Sequence, residues 1–253
     1  VVAIEAIAAN ALVDVEPLPR AEADPHLSSL AYLRADTGWF RVDVDSRARG
    51  LWSPAALMAE GFDVPQGTGN PMELVVYTQY YWGIPSMGHP AYSQMGAKFI
   101  IVPKGAQPGG EGIWPVFWDD PLIDIHLNTN ALPLIWLVYT TVPVTTLEEA
   151  YAIVAREDFA PELLATVQEG PRLEKLGQGT LEVLAYGPNH VAARIETSEQ
   201  AMLMLSDLAY PGWTATIDGE RTTLYKANGI FRAVAVPAGT HRVDMRFLPA
   251  SLA

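Results

Sequence analysis

From Leu181 to Phe247 the chain reads as seven short β segments, and this run constrains the fold more than any other feature. Leu181–Tyr186, Val191–Thr197, Ala201–Ser206, Trp213–Ile217, Thr222–Tyr225, Ile230–Val236 and Arg242–Phe247 are separated by turn residues at the spacing of a two-sheet β fold. Asp218-Gly219 favours a type I′ hairpin, because both central residues of that turn need φ > 0. Val243, Met245 and Phe247 alternate with Arg242, Asp244 and Arg246, so one face is core and the other is wet. Residues 171–253 are expected to form an antiparallel β-sandwich of about seven strands, with Trp213 in its core.

Ahead of Gly170-Pro171 the signals are mixed. Pro25–Asp36 carries Leu27, Leu30, Ala31 and Leu33 at helical spacing, and Phe40–Asp45 alternates like a strand with one polar face. Ser53-Pro54 and Asn70-Pro71 each open a helix, the second with Leu74, Tyr77, Tyr81 and Ile84 on one side. Lys98–Pro103 is a continuously apolar strand, and Leu134–Val144 is a Pro-interrupted strand suited to a sheet edge. Thr145-Thr146 followed by acidic residues caps a helix expected to run to about Glu157.

Charge changes at the same place. Residues 1–170 hold 8 basic against 21 acidic side chains and residues 171–253 hold 8 against 8, so the net charge of −13 belongs to the first part. The fold class is therefore α+β, a mixed α/β domain over 1–170 followed by a sandwich domain over 171–253. A charge of −13 repels a phosphate backbone, which argues against nucleic-acid partners. With no Cys, disulfides, thiolate metal sites and thiol nucleophiles are excluded. No stretch reaches the ~18 apolar residues of a membrane helix, since Pro133 and Pro143 break the run Ala131–Val144. Val1–Val13 is apolar and starts abruptly, as either the cut end of a longer segment or an ordinary packing helix.

The densest polar cluster is Asp119, Asp120, Asp124 and His126. If Ile123–Leu127 is a strand, Asp124 and His126 share a face, the geometry of a hydrogen-bonded pair or a weak metal site; a solvated strand face entered through an Asp-Asp-Pro turn explains the same residues. Aromatic residues crowd the acidic part, and Tyr80, Trp82, Trp114 and Trp118 are candidate glycan platforms. Helical spacing instead places most of these rings in the core. No catalytic motif is present, no catalytic residue is assigned, and no cofactor or metal is expected.

Three blocks carry a resemblance. Tyr210-Pro211-Gly212-Trp213 through Asp218-Gly219, Tyr225 through Val234 with Asn228-Gly229-Ile230-Phe231-Arg232, and Val236-Pro237-Ala238-Gly239 followed by Arg246-Phe247-Leu248-Pro249 resemble the C-terminal signature of the bacterial YfhO-type membrane proteins. Leu30–Asp36 with Phe40-Arg41-Val42, Met95–Ile101 and Asn130–Pro133 are similar to that family too, leaving about 104–128 outside the likeness. The resemblance implies a multi-pass membrane protein, a glycosyltransferase-like enzyme using polyprenyl-phosphate-linked sugars, with a large region on the extracytoplasmic face. The acidic catalytic residues of such enzymes lie in an early loop that this chain does not contain. The chain would then be an accessory region without a complete active site, serving acceptor positioning or assembly. Its partners would be membrane helices of the same polypeptide and cell-envelope glycan. Val1–Val13 would be the end of one membrane helix and Leu248-Pro249 the approach to the next. The alternatives are a carbohydrate-binding module and a freestanding hydrolase built on Asp119, Asp120, Asp124 and His126.

Overall fold

The computed structural model describes residues 25–65 and 75–248, so Val1–Val13, the start of the Asn70-Pro71 helix and the chain beyond Leu248 lie outside it. The described residues form a mixed α/β fold with 15 strands in three sheets and few helices.

The first sheet has the order β1-β2-β4-β3, from β1 (Arg41–Val44), β2 (Ala97–Pro103), β3 (Ile113–Phe117) and β4 (Ile123–Asn128). Strand β1 runs parallel to β2, and the other pairs are antiparallel. Both faces are covered, which explains why β2 is apolar throughout. Phe99 and Ile101 join Leu30 and Leu33 of α1 (Leu27–Ala35) and Leu57 of α2 (Pro54–Ala59). Ile100 and Val102 point the other way, towards Tyr80 of α3 (Val75–Gly83), Tyr92 of α4 (Pro90–Ser93) and Val154 of α5 (Leu147–Val154). Helix α5 starts in a complete capping box between Thr146 and Glu149 and ends three residues short of the expected Glu157.

The second sheet runs β5-β10-β14-β13-β7-β6, from β5 (Ile135–Val138), β6 (Thr140–Val144), β7 (Leu164–Gln168), β10 (Ala201–Leu208), β13 (Tyr225–Ala227) and β14 (Phe231–Val236). Strands β5 and β6 stand at opposite ends of this order, yet only Tyr139 separates them. Six strands laid flat at ~4.8 Å spacing would hold the edges roughly 24 Å apart, whereas two Cα steps cover at most ~7.6 Å. The sheet must therefore roll until its edges meet, and β6 indeed lies against β10. Trp136, Val138, Ala165, Val167, Met202, Met204 and Ala233 fill its inside. The expected Pro-interrupted edge strand is thus two edge strands made by one bend.

The third sheet, β12-β11-β15-β9-β8, uses β8 (Gly179–Gly187), β9 (His190–Thr197), β11 (Trp213–Ile217), β12 (Glu220–Thr222) and β15 (Gly239–Phe247). Asp218 (φ 52°) and Gly219 (φ 88°) close the β11–β12 hairpin with Ile217 opposite Glu220. The segment expected at Thr222–Tyr225 splits instead, its two ends entering different sheets as β12 and β13. The second and third sheets share a core of Leu203, Leu205, Val234 and Val236 against Val191, Ile195, Val243 and Met245.

Pairing and packing both cross the expected joint at Gly170-Pro171. Leu134 and Ile135 belong to the shared core, and β5, β6 and β7 pair into the same sheet as β10, β13 and β14. The C-terminal strands supply half of the rolled sheet, and strands from before Gly170 supply the other half. One correction concerns β1: Arg41 and Asp43, expected on a wet face, are 8% and 0% exposed. Tyr81 and Tyr92 donate to Asp43, and residues of β10 cover Arg41.

Candidate functional site

The three sheets meet around a cleft of about 860 Å³. The first sheet contributes Arg41 at the start of β1, the second contributes Ser206, Asp207 and Arg232, and the third contributes Tyr186, Trp213 and Phe247. Backbone irregularities converge on these residues. The β10–β14 register breaks between Leu205 and Leu208, leaving Ser206 and Asp207 as extra residues, and the β8–β9 register breaks at Leu184, two residues before Tyr186. The β1–β2 register breaks beside Arg41. Bulges of this kind re-aim side chains, which accounts for Asp207 leaving the regular strand alternation to face the cleft.

Two guanidiniums and one carboxylate form the floor. Arg41 Nη2 donates to Asp207 Oδ1 at 2.5 Å, and Arg232 Nη2 donates to Asp207 Oδ2 at 2.8 Å. Arg41 Nη1 also donates to the Met95 carbonyl and to Ser206 Oγ, both at 2.8 Å. Ser206 in turn donates to the Gln94 carbonyl at 2.5 Å. The two arginines are unequal. Burial alone would lower the pKa of Arg41, but Asp207, with help from Tyr186, outweighs it and holds the group above its ordinary value. For Arg232 burial prevails over Asp207 and pulls the pKa down. Asp63 also lines the cleft, its pKa raised because burial outweighs the pull of Arg41.

The rim is aromatic. Trp39 is 54% exposed and its ring centroid lies 5.3 Å from that of Tyr186, whose hydroxyl donates to Asp207 Oδ1 at 3.1 Å. Across the opening Trp213 packs 5.6 Å from Phe247 and lies flat over Arg232, 3.5 Å from guanidinium carbon to ring centroid. Trp213 was expected wholly in the core. It touches the core with one side and lines the cleft with the other, because Arg232 beneath it holds its face. Aromatic faces beside hydrogen-bonding carboxyl, guanidinium and hydroxyl groups suit a ligand that is apolar on its faces and polar on its edges.

The candidates named from the sequence lie elsewhere. Asp120 accepts from Leu122 N, Ile123 N and Ser29 Oγ and bonds His26 Nδ1; burial pushes its carboxyl up, but these bonds together hold it below the ordinary value. Asp124 accepts from Lys104 Nζ at 2.9 Å and Gly105 N at 2.8 Å. His126 shares the β4 face with Asp124 and meets Gln107 Oε1 at 3.3 Å; burial lowers its pKa against the opposing pull of Asp124. Asp119 is exposed and joins none of them. Among the described residues no group of three or more His, Asp or Glu is placed to hold a metal ion. Tyr80 is 5% exposed and its hydroxyl is tied to Gln94 and Ala91, so it presents no platform. Trp82, Trp114 and Trp118 are 58%, 60% and 63% exposed, but none lines the cleft. The sequence did carry a signal for the true floor: an Arg inside the apolar strand Phe231–Val236 is costly to bury without a purpose.

No described helix is long and apolar enough to cross a membrane. No curated protein and no solved structure matches the chain. Residues 171–253, about a third of the chain and the source of Tyr186, Asp207, Trp213 and Arg232, match the family model of the bacterial membrane protein YfhO.

Proposed function

We propose that this chain is the extracytoplasmic region of a multi-pass, glycosyltransferase-like membrane protein, and that its three-sheet cleft positions a glycan acceptor. The observation that carries the reading is the exposed Trp39 ring beside half-buried Tyr186, standing over Asp207 held between two buried arginines. A sugar ring offers C–H faces to such a platform and hydroxyl edges to the polar groups below. Both oxygens of Asp207 are engaged by guanidiniums, which suits a fixed anchor better than a group that must take and pass a proton. Positioning is therefore favoured over bond breaking. The YfhO match supports association with a membrane protein.

The test is a titration of the chain with cell-wall oligosaccharides. Covering ~50 Å² of apolar ring surface is worth ~1.3 kcal/mol, about tenfold in affinity, so Trp39→Ala should weaken binding by that factor. Unchanged affinity in Trp39→Ala contradicts the cleft assignment. Location is testable in the membrane protein too, since this chain has no Cys and labelling of the unaltered protein reports any thiol outside it. Leu176→Cys, at a 96% exposed position, should react with an impermeant maleimide in intact cells, whereas reaction only after lysis contradicts an extracytoplasmic face.

A further inference from the structure

Arg232 is 2% exposed, yet only one of its three nitrogens is partnered. Nη2 meets Asp207; Nε and Nη1 are closed off from solvent without an acceptor. Native interiors satisfy buried donors, and a guanidinium is the costliest donor to leave unmet. Both oxygens of Asp207 are already engaged, Oδ1 by Arg41 and Tyr186 and Oδ2 by Arg232 Nη2. Asp63 lines the same cleft but forms no hydrogen bond to either guanidinium among the described residues, and the Tyr186 hydroxyl serves Asp207. Two cations thus stand on one engaged carboxylate, and the unmatched one borders the cleft beneath Trp213.

We propose that Arg232 is the anion-recognition residue of this cleft, so that the glycan held there carries a singly charged oxyanion, a carboxylate or a phosphodiester. The inference rests on the reading of the cleft as a glycan site. The two unmet N–H groups of Arg232 suit one oxyanion, and Asp63 in the same cleft would repel a second negative charge. Because Nε and Nη1 have no exposed surface, the oxyanion reaches them as the Trp213 indole slides off the guanidinium. Trp213 then stacks on the sugar while Arg232 takes the charge, which couples the two parts of the ligand to one movement.

Calorimetric titration of the whole chain with glucose, glucuronate and glucose bearing a methyl phosphodiester tests this. At least one acidic sugar should bind about tenfold more tightly than glucose, as charge-assisted hydrogen bonds require, and the arm that binds identifies the oxyanion. Arg232→Gln should abolish that preference, so that all three sugars bind alike, and Arg232→Lys should restore part of it. Should Arg232→Gln fail to fold, raising NaCl with the unaltered chain serves instead: acidic sugars should weaken and glucose should not. Equal affinity for all three sugars, or a preference that survives Arg232→Gln, overturns the assignment and leaves the cleft reading standing. No binding by any of the three overturns both.

Discussion

The Asp119–His126 segment and the cleft floor are two clusters of the same residue chemistry with opposite organisation. Along β4 and its entry turn the polar groups are close in sequence, but the buried ones bond separate partners: Asp120 with His26 and Ser29, Asp124 with Lys104, His126 through Nε2 with Gln107. On the cleft floor Arg41, Asp207 and Arg232 are distant in sequence, lie on three strands and compete for one another. The first cluster fastens a strand to its neighbours. Buried nitrogens go unmet in both, Nδ1 of His126 in the first and Nε and Nη1 of Arg232 in the second, but of these only Arg232 borders the cleft; unmet polar capacity beside a cavity, not density of polar residues, is the mark of a site.

Removing Asp207 should break the comparison most strongly. Asp207→Ala leaves two buried guanidiniums facing each other, and breaking such a network typically costs about 3–5 kcal/mol. Urea denaturation should show a loss of that order together with the disappearance of glycan binding. Asp120→Ala removes the acceptor for Leu122 N, Ile123 N and Ser29 Oγ, and should cost about 2 kcal/mol by the usual penalty for stranded donors. Its glycan affinity should stay unchanged, because nothing around Asp120 lines the cleft. A loss of binding in Asp120→Ala would erase the distinction between the two regions.

Much of the strand content was legible in the sequence, because period-two alternation and turn residues are local signals. The Asp218-Gly219 hairpin and the Thr146 capping box followed from residues within a few positions of each other. Sheet partnership did not. Nothing local tells Ile135 that it will pair with Leu205, or that the bend at Tyr139 rolls a six-stranded sheet, so the charge boundary at Gly170-Pro171 does not foretell that one sheet takes strands from both sides of it. Strands β3 and β7 also escaped, the first interrupted by Pro115 and the second too short to show a period. The site was hidden for the same reason. Arg41 read as the wet face of a strand, and only its contact with Ser206 and Asp207, across 165 and 166 positions, shows otherwise.

Acid titration sharpens the contrast from the other side. The folded pKa of His126 lies below its ordinary 6.5, first because of burial, so the folded state binds fewer protons than the unfolded one as the pH drops past 6.5. Its contribution to stability is therefore lost towards acid pH. His241, held above 6.5 by its bond to Asp218, acts with the opposite sign and loses its contribution as the pH rises. Comparing His126→Gln with the unaltered chain between pH 7.5 and about 5 isolates the first effect: the variant should show the flatter profile. Identical profiles would mean that His126 is not held neutral by its surroundings. The smallest effect belongs to the exposed rings. Trp114→Ala and Trp118→Ala should stay within about 0.5 kcal/mol of the unaltered chain and bind glycan equally well, as surface truncations away from a site do.

The seven indole N–H groups of this chain allow the central claim to be read directly. In a two-dimensional NMR titration with an acidic oligosaccharide, the indole resonances of Trp39 and Trp213 should shift together along one saturation curve, while those of Trp82, Trp114 and Trp118 stay in place. Movement of the latter three with Trp39 and Trp213 unmoved would contradict the cleft and return Trp82, Trp114 and Trp118 as the glycan platform.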